Sequence, residues 1–481
     1  MSNLIDHLVF RARLEPGAVA IQGIDRELTF GQLLYLVKIM ANRLRQSGIE
    51  PGQVVITSIG DKYLDWIVTL ALSHEAAISC SIQRYSPLVA SKLDYSWVIT
   101  DRAVDHFAPE KTILADNNWL NGLKNLPPDI EAIYHQSEAD INRIILTSGT
   151  TGDAKSIAIS YSNVLQRAKN SLQYTCNVSS FISLFHISTG LGLNNAVISL
   201  IRGTPFYCSK SFNDAIDLIN KYSIEGVHGS VIQIDHLINE AISSKKYPSS
   251  LKTVIYAGSA ASPSFLKNVS ATLTGNIYND YGSTETAGLC TFKPNHQTDP
   301  AICGFPYPDV DIQVVGENHE PLSRGEEGLL RFKRAHMIDG YFNEPQSSTK
   351  FFRDGWFYPG DRGCFNKDGL LILTGRDSEV INLGGAKVDP VAIEHLLSDC
   401  HGIEDAAVFG LERERGVQQI AAAIVVADDF DMDSLKKLFA EKLPPLKRPA
   451  CILRVKHIPR NQTGKVMRDR LSREFSSLFN Q

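Results

Sequence analysis

The sequence predicts an α/β protein in two parts: a large N-terminal domain of parallel sheets with flanking helices and a small β subdomain, then a small α+β C-terminal domain. Three observations predict it. From about residue 28, short β-branched and apolar runs alternate with longer stripes of helical period, the pattern of strand–helix–strand crossovers and a sheet covered on both faces. Between about residues 300 and 375 the runs shorten and are broken by Gly and Pro, as in Val310-Asp311-Ile312-Gln313-Val314, the texture of an antiparallel β subdomain. After Gly375 strand and helix patterns resume for about 100 residues, enough for a separate compact domain. The expected division is therefore 1–375, with the β subdomain at about 300–375, and 376–481.

In chain order, Leu33, Leu36, Val37, Met40 and Leu44 fall at helical spacing and predict a helix over Glu27–Ser47. Val54–Thr57 reads as a strand, Asp61–Ser73 as a helix and Trp97–Thr100 as a strand. Ile144-Ile145-Leu146 reads as a buried strand. Then follow a helix over Ser162–Tyr174, a strand at Gly226–Gly229 and a helix over Val231–Ser243. A strand at Thr253–Ala257, a helix over Pro263–Leu273 with Ser262 as N-cap, and a strand at Asn276–Asn279 complete the first part. In the second, Ala406–Phe409 and Ile420–Val426 read as strands, and Leu435, Leu438, Phe439 and Leu443 form a helical stripe.

At 481 residues the chain exceeds one ordinary core, and 43% hydrophobic with 21% charged residues is a globular composition. A net charge of -5 gives no support to nucleic-acid binding. Asp6, Arg11 and Arg13 interrupt the N-terminal apolar residues too early for a secretory signal. His74 and Glu75 break the most apolar segment, Trp66–Ile82, so no membrane span is expected. Eight scattered cysteines without a Cys-x-x-Cys pair point to a cytoplasmic protein without structural zinc or disulfides.

The segment most indicative of function is Thr147-Ser148-Gly149-Thr150-Thr151-Gly152-Asp153-Ala154-Lys155. Its glycines allow close backbone approach to a ligand, and its hydroxyls and lysine suit a polyanion such as triphosphate. It is not a Walker loop, because Gly152 and Lys155 are separated by two residues.

This segment resembles the Thr-Ser-Gly-Thr-Thr-Gly-x-Pro-Lys-Gly loop of the adenylate-forming enzymes: acyl-CoA synthetases, luciferase and peptide-synthetase adenylation domains. Ala154 stands where proline is usual and Ser156 where glycine is usual. Four further motifs follow in the family's order. Tyr281-Gly282-Ser283-Thr284-Glu285, preceded by Asp280, resembles Tyr-Gly-x-Thr-Glu. The resemblance implies that Tyr281 stacks on adenine, Gly282 permits backbone approach, Thr284 reaches a phosphate and Glu285 holds Mg²⁺. Gly258-Ser259-Ala260 would lie against the other face of the adenine. Asp354-Gly355-Trp356-Phe357-Tyr358-Pro359-Gly360-Asp361 resembles Asp-Gly-Trp-x-x-Thr-Gly-Asp, with Asp361 accepting from the ribose hydroxyls.

Thr374 to Lys387 resembles the family's hinge motif. Arg376 would contact ribose or phosphate, the hinge position falls on Ser378 beside Asp377, and Gly384-Gly385 would line the acceptor tunnel. Pro459 to Arg468 resembles the C-terminal Gly-Lys-x-x-Arg motif, with Lys465 stabilising the charge that gathers as carboxylate meets phosphate. Phe185-His186-Ile187 with Gly190–Gly192 resembles the segment lining the acyl pocket, and a structural role for His186 is an equal alternative. The stretch Ser183–Ser188 holds no Asp to grip an amino group, which speaks against an α-amino acid.

The resemblance implies a two-step ligase with a mobile C-terminal domain. A small-molecule carboxylic acid attacks Mg·ATP to give acyl-AMP and pyrophosphate. The domain then turns, and a thiol of CoA, or of the phosphopantetheine on an acyl carrier protein, takes the acyl group. An amine acceptor and a non-catalytic nucleotide-binding homologue are the alternatives.

Overall fold

The computed structural model describes residues 3–82, 93–102, 111–123, 126–128, 137–147, 155–175, 178–377, 379, 381–383, 387–398, 400–412, 418–460 and 466–479. The N-terminal part holds two sheets. The first orders its strands Thr112–Leu114, Trp97–Thr100, Val54–Ser58, Ile78–Ser81, Ile141–Thr147 and Lys155–Ser160. All neighbours are parallel except the last two strands, which form an antiparallel hairpin. Every residue of Val54–Ser58 is buried, as a continuous apolar strand in a sheet covered on both faces requires.

The second sheet has 15 strands among the described residues. Its parallel half runs Ile277–Ser283, Thr253–Ala257, Gly226–Ser230, Phe181–Ser183 and Phe206–Tyr207, and then reaches the N-terminal strand Val19–Gln22. From Ile277–Ser283 onward every pairing on this path is antiparallel, through Ala287–Phe292, Ile302–Pro306, Leu371–Arg376 and Asp361–Phe365 to Gly328–Arg334. The change of texture expected near residue 300 is thus a change of strand direction within one continuous sheet. The reversal falls at residues 284–286, between paired Ser283 and Ala287.

Most elements lie where periodicity places them. The strand Thr253–Ala257 matches residue for residue, and Ser262 caps the helix Pro263–Thr272 by accepting from the Phe265 amide. One expectation is corrected. Glu27–Thr29 is a strand paired with Val19–Gln22, and the helix is Phe30–Gln46. The reason is local: Thr29 and Gln32 form a reciprocal capping box, which satisfies two orphan N–H groups and fixes the helix start at Phe30.

The C-terminal part has its own core. Ile403–Glu412 pairs antiparallel with Gln418–Val426, which pairs parallel with Cys451–Arg454. Helices Pro390–Ser398, Met432–Lys442 and Arg468–Phe479 accompany this sheet. Two apolar clusters sit around it, one including Ile393, Leu397, Val408 and Leu435, the other Phe409, Ile458 and Leu471.

Candidate active site

The segment 148–154 connects the two strands of the hairpin Ile141–Thr147 and Lys155–Ser160. It leads into a strand, not into a helix. Ser148, Gly149, Thr150 and Thr151 lie outside the described residues; Thr147 and Lys155 face each other at the root of the hairpin. The hairpin is pinned from outside by a later segment: the Phe342 amide donates to the Ser156 carbonyl at 2.7 Å, and the Ser156 amide donates to Glu344 Oε1 at 3.1 Å. The Lys155 ammonium rests 3.3 Å from the ring centroid of Phe351 and 4.6 Å from that of Tyr341. Burial lowers its pKa, against the opposing pull of Glu285 and Glu344.

Thr284 and Glu285 sit on the reversal of the large sheet. The Glu285 carboxylate accepts from the Tyr341 hydroxyl at 2.8 Å, so the same tyrosine touches both the lysine and the carboxylate. Two buried arginines grip the turn from below. Arg167 donates to the carbonyls of Thr284 (2.7 Å) and Glu285 (3.0 Å), and Arg334 donates to that of Gly288 while pairing with Asp309. Ala287 holds φ at 61°, left-handed backbone that a non-glycine residue keeps only when its surroundings impose it.

Tyr281 donates its hydroxyl to Asp361 Oδ2 at 2.7 Å, and Arg376 pairs with Asp361 Oδ1 at 2.5 Å. Three motifs separated by up to 95 positions therefore meet at one buried carboxylate. A carboxylate offers about four acceptor directions. One is taken by the Tyr281 hydroxyl, and the Arg376 ion pair faces Oδ1. Asp280 lies beneath this layer: it accepts from Tyr307, and burial raises its pKa to about 6. Gly258, with φ at 90°, opens the turn Gly258–Ala260 at the carboxyl end of a parallel strand, where open α/β sheets place ligands.

His186 is buried, and its Nδ1 meets Ser188. Burial, then the nearby Lys62 and Arg143 cations, lower its pKa to about 4. Buried Arg143 holds the next residue by donating to the Ile187 carbonyl at 2.8 Å. Thr189 caps the helix Gly190–Arg202, and a Cβ added at Gly190 would lie 3.3 Å from Thr284 Cγ2. The His186 segment therefore borders the Thr284–Glu285 turn.

On the C-terminal side, the Asp377 amide donates to the Gly360 carbonyl at 2.8 Å. Ser378, Gly384, Gly385 and Lys465 lie outside the described residues. Their neighbours are tied together: Arg468 pairs with Glu379 at 2.5 Å and Glu394 at 2.6 Å. Sequence reasoning did not single out Arg167, Arg334, Tyr341, Phe351 or Glu344 as site residues. Only the aromatic density of the stretch 341–357 could have signalled any of them.

The family model for AMP-binding enzymes matches residues 9–342, and that for the AMP-binding enzyme C-terminal domain matches residues 392–465. The chain belongs to the AMP-binding enzyme family. It is an ATP-dependent acid–thiol ligase that works through acyl-AMP. Among relatives of this AMP-binding enzyme, the 2-succinylbenzoate–CoA ligase of Geobacillus sp. (strain WCH70) is 28% identical, over 96% of each chain. That of Geobacillus kaustophilus is 26% identical over 98% of each. In fold the chain matches ATP-bound MatB from Rhodopseudomonas palustris (TM-score 0.86, 19% identity, 99% of each chain). It also matches O-succinylbenzoate CoA synthetase (MenE) from Bacillus subtilis in complex with ATP and magnesium ion (TM-score 0.85, 21% identity, 97% of this chain and 98% of that one).

The residues present fit Mg²⁺ as the family uses it. Among the described residues no group of three or more His, Cys, Asp or Glu side chains could hold a metal alone. One carboxylate, Glu285, stands on the turn beside Thr284 and Lys155. A hard cation that takes one protein oxygen and completes its shell from phosphates and water suits such a site.

Proposed function

We propose that this enzyme joins an aryl carboxylic acid of the 2-succinylbenzoate kind to CoA. The convergence of Lys155, Glu285, Tyr341, Asp361 and Arg376 around one turn carries the adenylation half of this reading. The choice of acid and acceptor is supported by 2-succinylbenzoate–CoA ligases 24–28% identical along nearly the whole chain. Asp361 and Arg376 orient the ribose, with Tyr281 bracing the carboxylate and its ring beside the base. Gly258, Ser259 and Ala260 form the opposite wall, and Asp280 and Gly282 shape the strand that carries Tyr281. The hydroxyls of 147–151 and Lys155 take the phosphates, with Thr284 beside them. Glu285 would hold Mg²⁺, which would neutralise phosphate charge and orient the triphosphate.

His186 stays neutral at pH 7 and offers the acid an uncharged wall. Lys465 bridges carboxylate and α-phosphate as the carboxylate oxygen attacks phosphorus and pyrophosphate leaves. Rotation about Asp377-Ser378 then exchanges Lys465 for the Gly384-Gly385 face. The thiol attacks the acyl carbonyl, AMP leaves with the bonding pair, and the thiol proton passes to solvent. The boundary between the two parts falls at about residue 375.

The test is hydroxamate trapping over aliphatic, aromatic and amino acids with 2-succinylbenzoate included, followed by product analysis with CoA, holo-carrier protein and an amine panel. A CoA thioester of an aryl acid is the expected product. Amide formation in preference to thioester, or activation confined to aliphatic acids, sinks the reading.

A further inference from the structure

The helix Tyr161–Thr175 follows the phosphate hairpin and carries one cation into the interior, Arg167. Its guanidinium donates through one terminal nitrogen to the Thr284 carbonyl at 2.7 Å and through the other to the Glu285 carbonyl at 3.0 Å. A buried guanidinium is a rigid planar fork, so two bonds to successive carbonyls fix the orientation of the peptide between them. That peptide carries the two side chains assigned to phosphate and metal. The far side of the same turn has its own support in Arg334, which donates to the Gly288 carbonyl, and the Glu285 carbonyl held by Arg167 also accepts from the Ile338 amide at 3.2 Å. The left-handed Ala287 lies between these supports. A reversal of strand direction in a sheet has no need of two buried cations; a hairpin turn normally satisfies its carbonyls with its own amides or water.

We propose that Arg167 is a positioning residue for the nucleotide: it sets the Thr284–Glu285 peptide so that the threonine hydroxyl and the glutamate carboxylate face Mg·ATP together. It touches neither substrate nor metal. This rests on the roles proposed above for Thr284 and Glu285. Arg167 also couples the hairpin that holds the phosphates to the turn that faces them, because its helix begins directly after the strand Lys155–Ser160.

The experiment compares Arg167→Lys and Arg167→Met with the wild-type full chain. Mg·ATP affinity is read by calorimetry with a non-hydrolysable ATP analogue at several Mg²⁺ concentrations. The pyrophosphate-exchange KM values for ATP and for the acid, and the melting temperature, are measured alongside. Loss of charge-assisted bonds to both carbonyls is expected to weaken Mg·ATP binding by about 10- to 100-fold in Arg167→Met. Arg167→Lys, which keeps the charge and can reach one carbonyl, should recover part of that. The KM for the acid should stay close to wild type. If either variant melts lower yet binds Mg·ATP with the wild-type constant, Arg167 is structural only and the proposal is overturned. Should Arg167→Met fail to fold, the Lys variant alone decides by the same criterion. Failure of the wild type itself to bind Mg·ATP or exchange pyrophosphate would instead overturn the nucleotide roles beneath it.

Discussion

At the scale of single residues, the site is a set of charges held by neutral or aromatic partners. Glu285 is bonded by Tyr341 and stands near Lys155. Glu285→Gln keeps the shape and the tyrosine contact but loses the charge. It should raise the Mg²⁺ concentration needed for half-maximal acyl-AMP formation, and added Mg²⁺ should partly restore the rate. An unchanged Mg²⁺ dependence would move the metal to other ligands. The buried histidines make a second prediction. His186 and His228 both have pKa values lowered to about 4, in each case chiefly by burial. The unfolded chain, with histidine near 6.5, binds protons that the folded chain refuses between pH 6.5 and 4. Stability is therefore present above pH 6.5 and lost as pH falls through that window. From pH 7 to pH 5 the loss is about 2 kcal/mol per histidine. Buried Asp65 and Asp280, with pKa values raised to about 6, act in the opposite sense over the same range, so the comparison is between proteins. Denaturant melts should show about 2 kcal/mol less loss from pH 7 to pH 5 in His228→Gln than in wild type, and an equal loss would mean that His228 does not contribute.

At the scale of elements, the His186 segment, proposed above as the wall of the acid site, depends on an approach only glycine allows. A Cβ added at Gly192 would fall 1.9 Å from the His186 carbonyl oxygen, which is backbone and cannot step aside. Overpacking in a well-filled interior costs about 1–3 kcal/mol, and a clash with backbone belongs at or beyond the upper end. Gly192→Ala should lower the melting temperature and raise the KM for the acid more than that for ATP. Equal changes in both would show that the segment does not line the acid site. The elements themselves were mostly legible, because a strand such as Thr253–Ala257 or the helix after Ser262 announces itself in residues that touch along the chain. The hairpin was not. A run of Gly, Ser and Thr after a strand reads the same whether a helix or an antiparallel strand follows. The Arg167 and Tyr341 contacts to Glu285 were equally hidden, since they join positions 118 and 56 residues apart and leave no period in the sequence.

At the scale of the whole molecule, the motifs after residue 376 accompany apolar clusters of their own, and the rotation proposed above carries Lys465 with them. Lys465→Ala should therefore separate the half-reactions. Adenylation is expected to fall by about 10²–10³, the usual effect of removing one transition-state donor. Thioester formation from pre-formed acyl-AMP should persist. Equal loss in both would contradict the two-position scheme. The buried Glu379–Arg468–Glu394 triad binds the segment beside Ser378 to the helix that follows Lys465. Hinge flank and lysine flank are thereby parts of one body, which fits a turn of the whole domain.

The large sheet also has a history written into its order. Val19–Gln22 finds its parallel neighbour only at Phe206–Tyr207, and Ile302–Pro306 pairs with Leu371–Arg376. Ribosomes add roughly 5–20 residues per second, so the first strand waits on the order of ten to forty seconds before its partner exists. During that interval it has only Glu27–Thr29 beside it, and a lone two-stranded ribbon is marginal in water. Val19–Gln22 is thus the strand of this sheet with most to gain from a chaperone, although the opposite, antiparallel edge is synthesised later still.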